Sequence, residues 1–273
     1  MIDIRWQLFE AGHCLHPEAS SRRGASWRMC EFPALVALLQ HPARGWMLFD
    51  TGYGAAFAAA TRGFPERFYR WVTPVRWNES RSVVAQIHAC GIAARDIAHV
   101  LVSHFHGDHV GGLADFPHAE VWCAQRAWED LHSRSRLSAL THGLLPALAP
   151  LELERRLHFF EQTPLTRLPA QLAPFQAAHD VFGDDSIYAV GLPGHAAGHF
   201  GICFRSGGTW IFLVADAAWS TRAIEDNAPP PRWASSLLGE TDAYRRTLAS
   251  LHTLAARRSG VLLVPAHCRA HRP

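Results

Sequence analysis

Four residues able to bind a metal ion fall within six positions: His104, His106, Asp108 and His109. Imidazole nitrogens and carboxylate oxygens coordinate zinc, iron or manganese at short range. In extended backbone, His104 and His106 point to the same side and can share one cation. Gly107 permits a tight turn, after which Asp108 and His109 face a neighbouring position, so a second cation is expected beside the first. The alternative is a histidine-rich surface loop. Four such groups delivered by a buried strand, however, would be costly to leave without partners.

A second cluster reads Leu192-Pro193-Gly194-His195-Ala196-Ala197-Gly198-His199. Spacing alone does not decide which histidine is a ligand. The other would support a ligand through a hydrogen bond from its ring. Asp216 follows an apolar run and could bridge two cations, or serve as a turn or capping carboxylate. His267 follows the last apolar run and is either a ligand or a buried, hydrogen-bonded histidine. Its neighbour Cys268 would point away from the same site. Arg205, Arg245 and Arg246 could bind an anionic group, or be solvated surface charge.

Apolar strands must position these groups. Ile2 to Leu8 alternates as a strand, residues 12–30 read as a loop, and Phe32–Leu39 and Trp46–Phe49 read as strands. The latter stops at Asp50-Thr51-Gly52. Residues 80–98 read as a helix capped by Ser80 or Ser82, with Val83, Val84, Ile87 and Cys90 on its apolar face, followed by a turn. Val100–Val102 then leads directly to His104. Further strands are expected at 121–123, 187–190, 202–204, 210–214 and 261–264, and a helix at about 240–256. Strands thus stop repeatedly at a coordinating group: Asp50, His104, Asp216 and His267. One domain spanning 1–273 is expected. It carries an aromatic-rich insertion near 53–80, which either walls a pocket or packs as a helical hairpin, and a helical insertion near 124–160.

Composition narrows the function classes. The chain has 273 residues, 48% of them hydrophobic, which supports a substantial core. Lys and Arg outnumber Asp and Glu by 26 to 24, and no basic stripe is legible, so no nucleic-acid partner is expected. No apolar run reaches membrane-spanning length, so no membrane association is expected. The N-terminus lacks a secretory pattern, and the six cysteines form no CxxC pair. A cytoplasmic protein with reduced cysteines is the expectation. The 18 histidines exceed what packing requires.

The segment Ser103-His104-Phe105-His106-Gly107-Asp108-His109-Val110-Gly111-Gly112 resembles the signature of the metallo-beta-lactamase fold superfamily. Asp50-Thr51-Gly52, Pro193 to His199, Asp216 and His267 follow the family's order. The resemblance extends from about residue 45 to 268. It implies an α/β fold, the alpha-beta/beta-alpha four-layer sandwich, with the site at one end of its two sheets. Carried over, it implies that His104, His106 and His195 bind one metal, that Asp108, His109 and His267 bind another, and that Asp216 bridges them. His199 and Asp50 become supporting residues. The implied cofactors are two divalent metal ions, zinc by first expectation, with iron or manganese also suited to the ligands. Such a pair lies about 3.5–4 Å apart and shares a hydroxide able to attack a carbonyl or phosphoryl centre. Asp108 is the implied catalytic residue, a ligand that also orients or shuttles a proton.

Within the superfamily, the chain is most similar to dinuclear acyl-homoserine lactonase-like hydrolases. That implies a metal-dependent hydrolase opening a small-molecule lactone or carboxylic ester. Several of those lactonases carry a Tyr three residues after the bridging Asp. Here Trp219 stands there as the candidate substrate contact, with an N–H that donates but cannot accept. A phosphodiesterase or thioester hydrolase on the same site, and a metal-binding signalling protein with little turnover, are the alternative readings. The expected assembly is a monomer or homodimer.

Overall fold

The apolar runs fold into two mixed sheets in a computed structural model that describes residues 2–235 and 239–273. The first sheet comprises β1 (Arg5–Pro17), β2 (Met29–His41), β3 (Gly45–Phe49), β4 (Val75–Arg76), β5 (Ile97–Leu101), β6 (Glu120–Cys123) and β7 (Leu157–Phe159). Their order is β4-β1-β2-β3-β5-β6-β7. The second comprises β8 (Leu165–Arg167), β9 (Ala177–Asp180), β10 (Ile187–Gly191), β11 (Phe200–Ser206), β12 (Thr209–Ala215) and β13 (Val261–Pro265), in the order β13-β12-β11-β10-β9-β8. The helices are α1 (Ala55–Ala60), α2 (Arg67–Val72), α3 (Val83–Ala89), α4 (Gly107–Val110), α5 (Gln125–Ser133), α6 (Arg136–Thr141), α7 (Thr221–Glu225), α8 (Arg232–Ser235) and α9 (Thr241–Ala256).

Alternation along β12 explains the layering. Ile211, Leu213 and Ala215 join one buried cluster with Val36, Leu39, Leu48 and Val100 of the first sheet. The intervening Trp210, Phe212 and Val214 pack instead with Tyr244, Leu248 and Leu251 of α9. Side chains two apart share a face, so one set closes the core between the sheets while the other seats a helix outside. The result is the expected mixed α/β sandwich.

Three expectations change in detail. Residues 12–17 are strand, not loop, because a bulge between Glu10 and His13 lets β1 continue against β2 as far as Pro17. The helical stretch expected at 124–160 holds α5, α6 and 3₁₀ turns at Pro146–Leu148 and Leu151–Arg156, but its end is β7, which extends the sheet beside β6. The helix expected within 80–98 is shorter, running as α3, with the Ser82 hydroxyl accepting from the Ala85 N–H. Residues 53–80 hold the short helices α1 and α2. The Phe57 ring packs on Gly107, where an added Cβ would lie 2.7 Å from it. Phe64, Phe68 and Trp71 meet edge to face on the exposed side.

Candidate metal centre

Two loops at strand ends interlock to build half of the centre. Beyond β3, Asp50 adopts a left-handed conformation (φ 62°), and the backbone turns under the loop that follows β5. Thr51 donates from both its N–H and its hydroxyl to the His109 carbonyl, at 2.7 and 2.9 Å. Gly112 donates to the Gly52 carbonyl at 3.1 Å. The approach is so close that a Cβ on Gly54 would lie 2.5 Å from the Gly111 oxygen, and only glycine fits.

Asp50 orders the ligand loop from beneath. Its carboxylate accepts from the Ser103 N–H (2.8 Å), the Ser103 hydroxyl (2.8 Å) and His109 Nδ1 (2.7 Å). With the Ser103 proton committed to Asp50, Ser103 Oγ is left to accept from His104 Nδ1 at 3.0 Å. Both histidines therefore carry a proton on Nδ1 and turn Nε2 toward the centre. His267 is fixed the same way from the other sheet, with Nδ1 donating to the Pro33 carbonyl at 2.7 Å.

The side chains singled out from the sequence meet here. His104, His106 and His195 form one group of donors, Asp108, His109 and His267 another, and His104, His109 and Asp216 a third that overlaps both. Within each group the donor atoms lie within 4.8 Å of one another. His104 Nε2 and His195 Nε2 each lie 3.0 Å from His106 Nδ1. Asp216 sits between the groups: Oδ2 is 3.1 Å from His195 Nε2 and 3.0 Å from His267 Nε2, and Oδ1 is 3.3 Å from His109 Nε2. His199 stands apart from these groups. Its Nε2 accepts the Asp216 N–H at 3.1 Å and so fixes the backbone that carries the central carboxylate. Local packing separates the two histidines of that cluster: a Cβ on Gly194 would lie 2.0 Å from the Tyr244 nitrogen, which pins the turn bearing His195 against α9.

The electrostatics suit cations. Burial, then the neighbouring histidines, push His104 well below its ordinary basicity. Burial likewise lowers His195 and His106, against the pull of nearby carboxylates. Burial alone would lower His109 too, yet Asp216, Asp50 and Asp108 outweigh it and hold that ring well above its usual range. Burial is similarly outweighed at His267, which Asp216 raises to about 8. Burial would raise Asp216, but His267, His109 and His195 hold it well below the carboxylate range. The centre thus seeks positive charge around Asp216 and presents unprotonated nitrogens elsewhere. Three imidazole nitrogens converge, and His109 Nε2 and Asp216 Oδ1 stand buried 3.3 Å apart outside hydrogen-bond geometry, an arrangement that fits cations better than protons. The residues form a dinuclear metal-binding site.

Trp219 packs beside the donors. Its ring stands edge-on to Phe32, His195 and His267, with centroids 5.5, 6.2 and 5.7 Å away. Its indole N–H is buried and has no acceptor. Cys268 is turned away from the centre, its sulfur accepting from the Thr221 N–H at 3.3 Å. Arg205 and Arg245 are engaged elsewhere, with the Gly208 carbonyl and with Asp242. The Phe32 ring carries no signal of its own in the sequence, and Ser103, though it stands in the ligand motif, shows its role only through its contacts with Asp50 and His104.

Comparison with known proteins agrees with this geometry. The metallo-beta-lactamase superfamily profile matches residues 31–248, and the chain belongs to that superfamily. It is 28% identical to the N-acyl homoserine lactonase AttM of Azorhizobium caulinodans, over 98% of this chain and 94% of that one. It is 25% identical to AttM of Agrobacterium fabrum, over 96% and 93%. Among solved structures it resembles an N-acyl homoserine lactone hydrolase with the product N-hexanoyl-L-homoserine bound at its catalytic metal centre. The TM-score is 0.73 at 16% identity, covering 99% of this chain and 95% of that one.

Proposed function

We propose that this metal-dependent hydrolase of the metallo-beta-lactamase superfamily opens the ring of N-acyl homoserine lactones. The observation that carries the reading is Asp216, whose two oxygens lie within 3.0–3.3 Å of His195, His267 and His109 and so join the two donor groups. Similarity to AttM lactonases over almost the whole chain supports the substrate class.

In this reading His104, His106 and His195 hold one cation, Asp108, His109 and His267 hold the other, and Asp216 holds both. When bound, two divalent cations, zinc by proposal, supply Lewis acidity and an activated water. The residues do the rest. Asp50 and the Pro33 carbonyl keep a proton on Nδ1 of His109 and His267, so that Nε2 is the nitrogen each ring would give to a cation. Asp108 is the most open of the donors, with 12% of its side chain exposed, and its carboxylate is placed to hold and pass a proton at the mouth. Trp219 donates its free N–H to a substrate oxygen, and with Phe32 keeps the mouth apolar. No helix among the described residues is long and apolar enough to cross a membrane. The six unbridged cysteines support a cytoplasmic setting for a soluble substrate.

The test is ring opening of N-hexanoyl homoserine lactone by protein carrying two equivalents of zinc, with His106→Ala as control. Opening that is lost in the control is expected. A fully metallated wild type that leaves the lactone intact rejects the substrate assignment.

A further inference from the structure

The end of β1 carries two histidines that the metal centre does not absorb. His13 is engaged with Glu10 and Glu31, at 3.2 and 3.6 Å. His16 is placed differently. It is half-buried, and its Nε2 lies 3.1 Å from the Thr73 hydroxyl, just after α2. The Leu15 N–H, donating to the Pro74 carbonyl at 2.9 Å, fixes the backbone beside it. Nδ1 of His16 makes no hydrogen bond among the described residues.

The strand register shows where this ring faces. Cys14 lies opposite Phe32 and His16 opposite Cys30. Opposed residues of an antiparallel pair share a face, as do residues two apart on one strand. His16 therefore stands on the face of Phe32, whose ring is edge-on to His267 at 6.4 Å and to Trp219 at 5.5 Å. Burial lowers the basicity of His16, with smaller opposed effects from Asp108 and His267, which puts the ring within electrostatic reach of both.

We propose that His16 is a specificity-determining residue, its free Nδ1 hydrogen-bonding the amide that an acylamino lactone carries beside its scissile ester. The inference rests on the lactone reading above. The Thr73 hydroxyl can donate or accept, so the ring can adopt either tautomer. With the Thr73 hydroxyl donating to Nε2, Nδ1–H donates to the amide carbonyl. With Nε2–H donating to Thr73, Nδ1 accepts from the amide N–H. Both arrangements favour a lactone bearing an amide over a bare ring.

The experiment compares kcat/KM for N-hexanoyl homoserine lactone and γ-butyrolactone in zinc-loaded wild type, His16→Leu, His16→Gln and Thr73→Val, with bound metal measured for each. The expected result is an acylamino-over-bare ratio about tenfold lower in His16→Leu. Thr73→Val gives a smaller fall, and His16→Gln, which retains a donor and an acceptor, keeps most of the ratio. An unchanged ratio in His16→Leu, or its parallel loss of both activities with loss of metal, overturns the role assigned to His16. Wild type that opens neither compound sinks the lactone reading itself, and the role of His16 with it.

Discussion

Asp50→Asn isolates the hydrogen bonds that set the tautomers of the metal centre. The substitution is nearly isosteric, and asparagine tolerates the left-handed backbone (φ 62°) at this position, so little conformational strain is added. One contact survives, since the amide oxygen still accepts the Ser103 N–H. The other oxygen becomes an NH2 group facing two donors, the Ser103 hydroxyl and His109 Nδ1–H, at 2.8 and 2.7 Å. Hydrogen bonds to a charged group contribute roughly 1.5–3 kcal/mol each. Losing two, and regaining about 1 kcal/mol when the serine rotates to accept from the new amide, leaves a net loss of about 2–5 kcal/mol in apo stability. The functional effect is more specific. To accept from the amide, His109 must move its proton to Nε2, the nitrogen offered to the cation. Disrupting such outer partners weakens metal affinity by about 10–100-fold. Calorimetric titration with zinc, with metal stoichiometry by elemental analysis, measures this. Weakening should fall on one of the two equivalents. Unaltered affinity for both equivalents would refute the tautomer argument.

Three further outcomes follow from the same structure. Trp219→Phe keeps the ring against His267 but removes its free N–H; kcat/KM for the lactone should fall by about 2–13-fold, the range of one neutral hydrogen bond, and an unchanged value would show that the indole donates to nothing in the reaction. Gly54→Ala drives a Cβ to 2.5 Å from the Gly111 oxygen, so unfolding experiments should register a loss of about 1–3 kcal/mol together with weaker metal binding, whereas wild-type behaviour would mean the two loops can separate freely. His99, in the middle of β5 and outside the donor groups, is lowered by burial to about 4. The unfolded chain takes up this proton near 6.5 and the folded one only near 4, so the site's contribution is complete above pH 6.5 and is lost as pH falls toward 4. His99→Gln should therefore flatten the decline of the unfolding midpoint across that window, and an identical profile would count against this ring as its source.

The sequence made the ends of the strands legible because the chemistry sits there. Apolar runs closing on Asp50, His104, Asp216 and His267 mark both the sheets and the rim that carries the donors. Partner choice was not legible. His195 and His199 have the same local surroundings of glycine and alanine; only the packing of Gly194 on Tyr244, remote in sequence, turns one toward His106 and leaves the other to hold the Asp216 N–H. The bulge that carries β1 past Gly12 was hidden for a related reason. Glycine and proline near residues 12–17 read as a break, while pairing with β2 across the sheet overrides that local preference. His16 was overlooked with it, because a residue assigned to a loop has no face. Edge strands such as β7 and β8, three residues each, are too short to show a period.

His104, His106, Asp108 and His109 follow a strand of the first sheet, whereas His195, Asp216 and His267 follow strands of the second. Each layer is thus half a chelator, and neither half offers a cation the full set of donors. The full set of donors exists only where the two layers meet, so whatever parts the layers also takes the chelator apart.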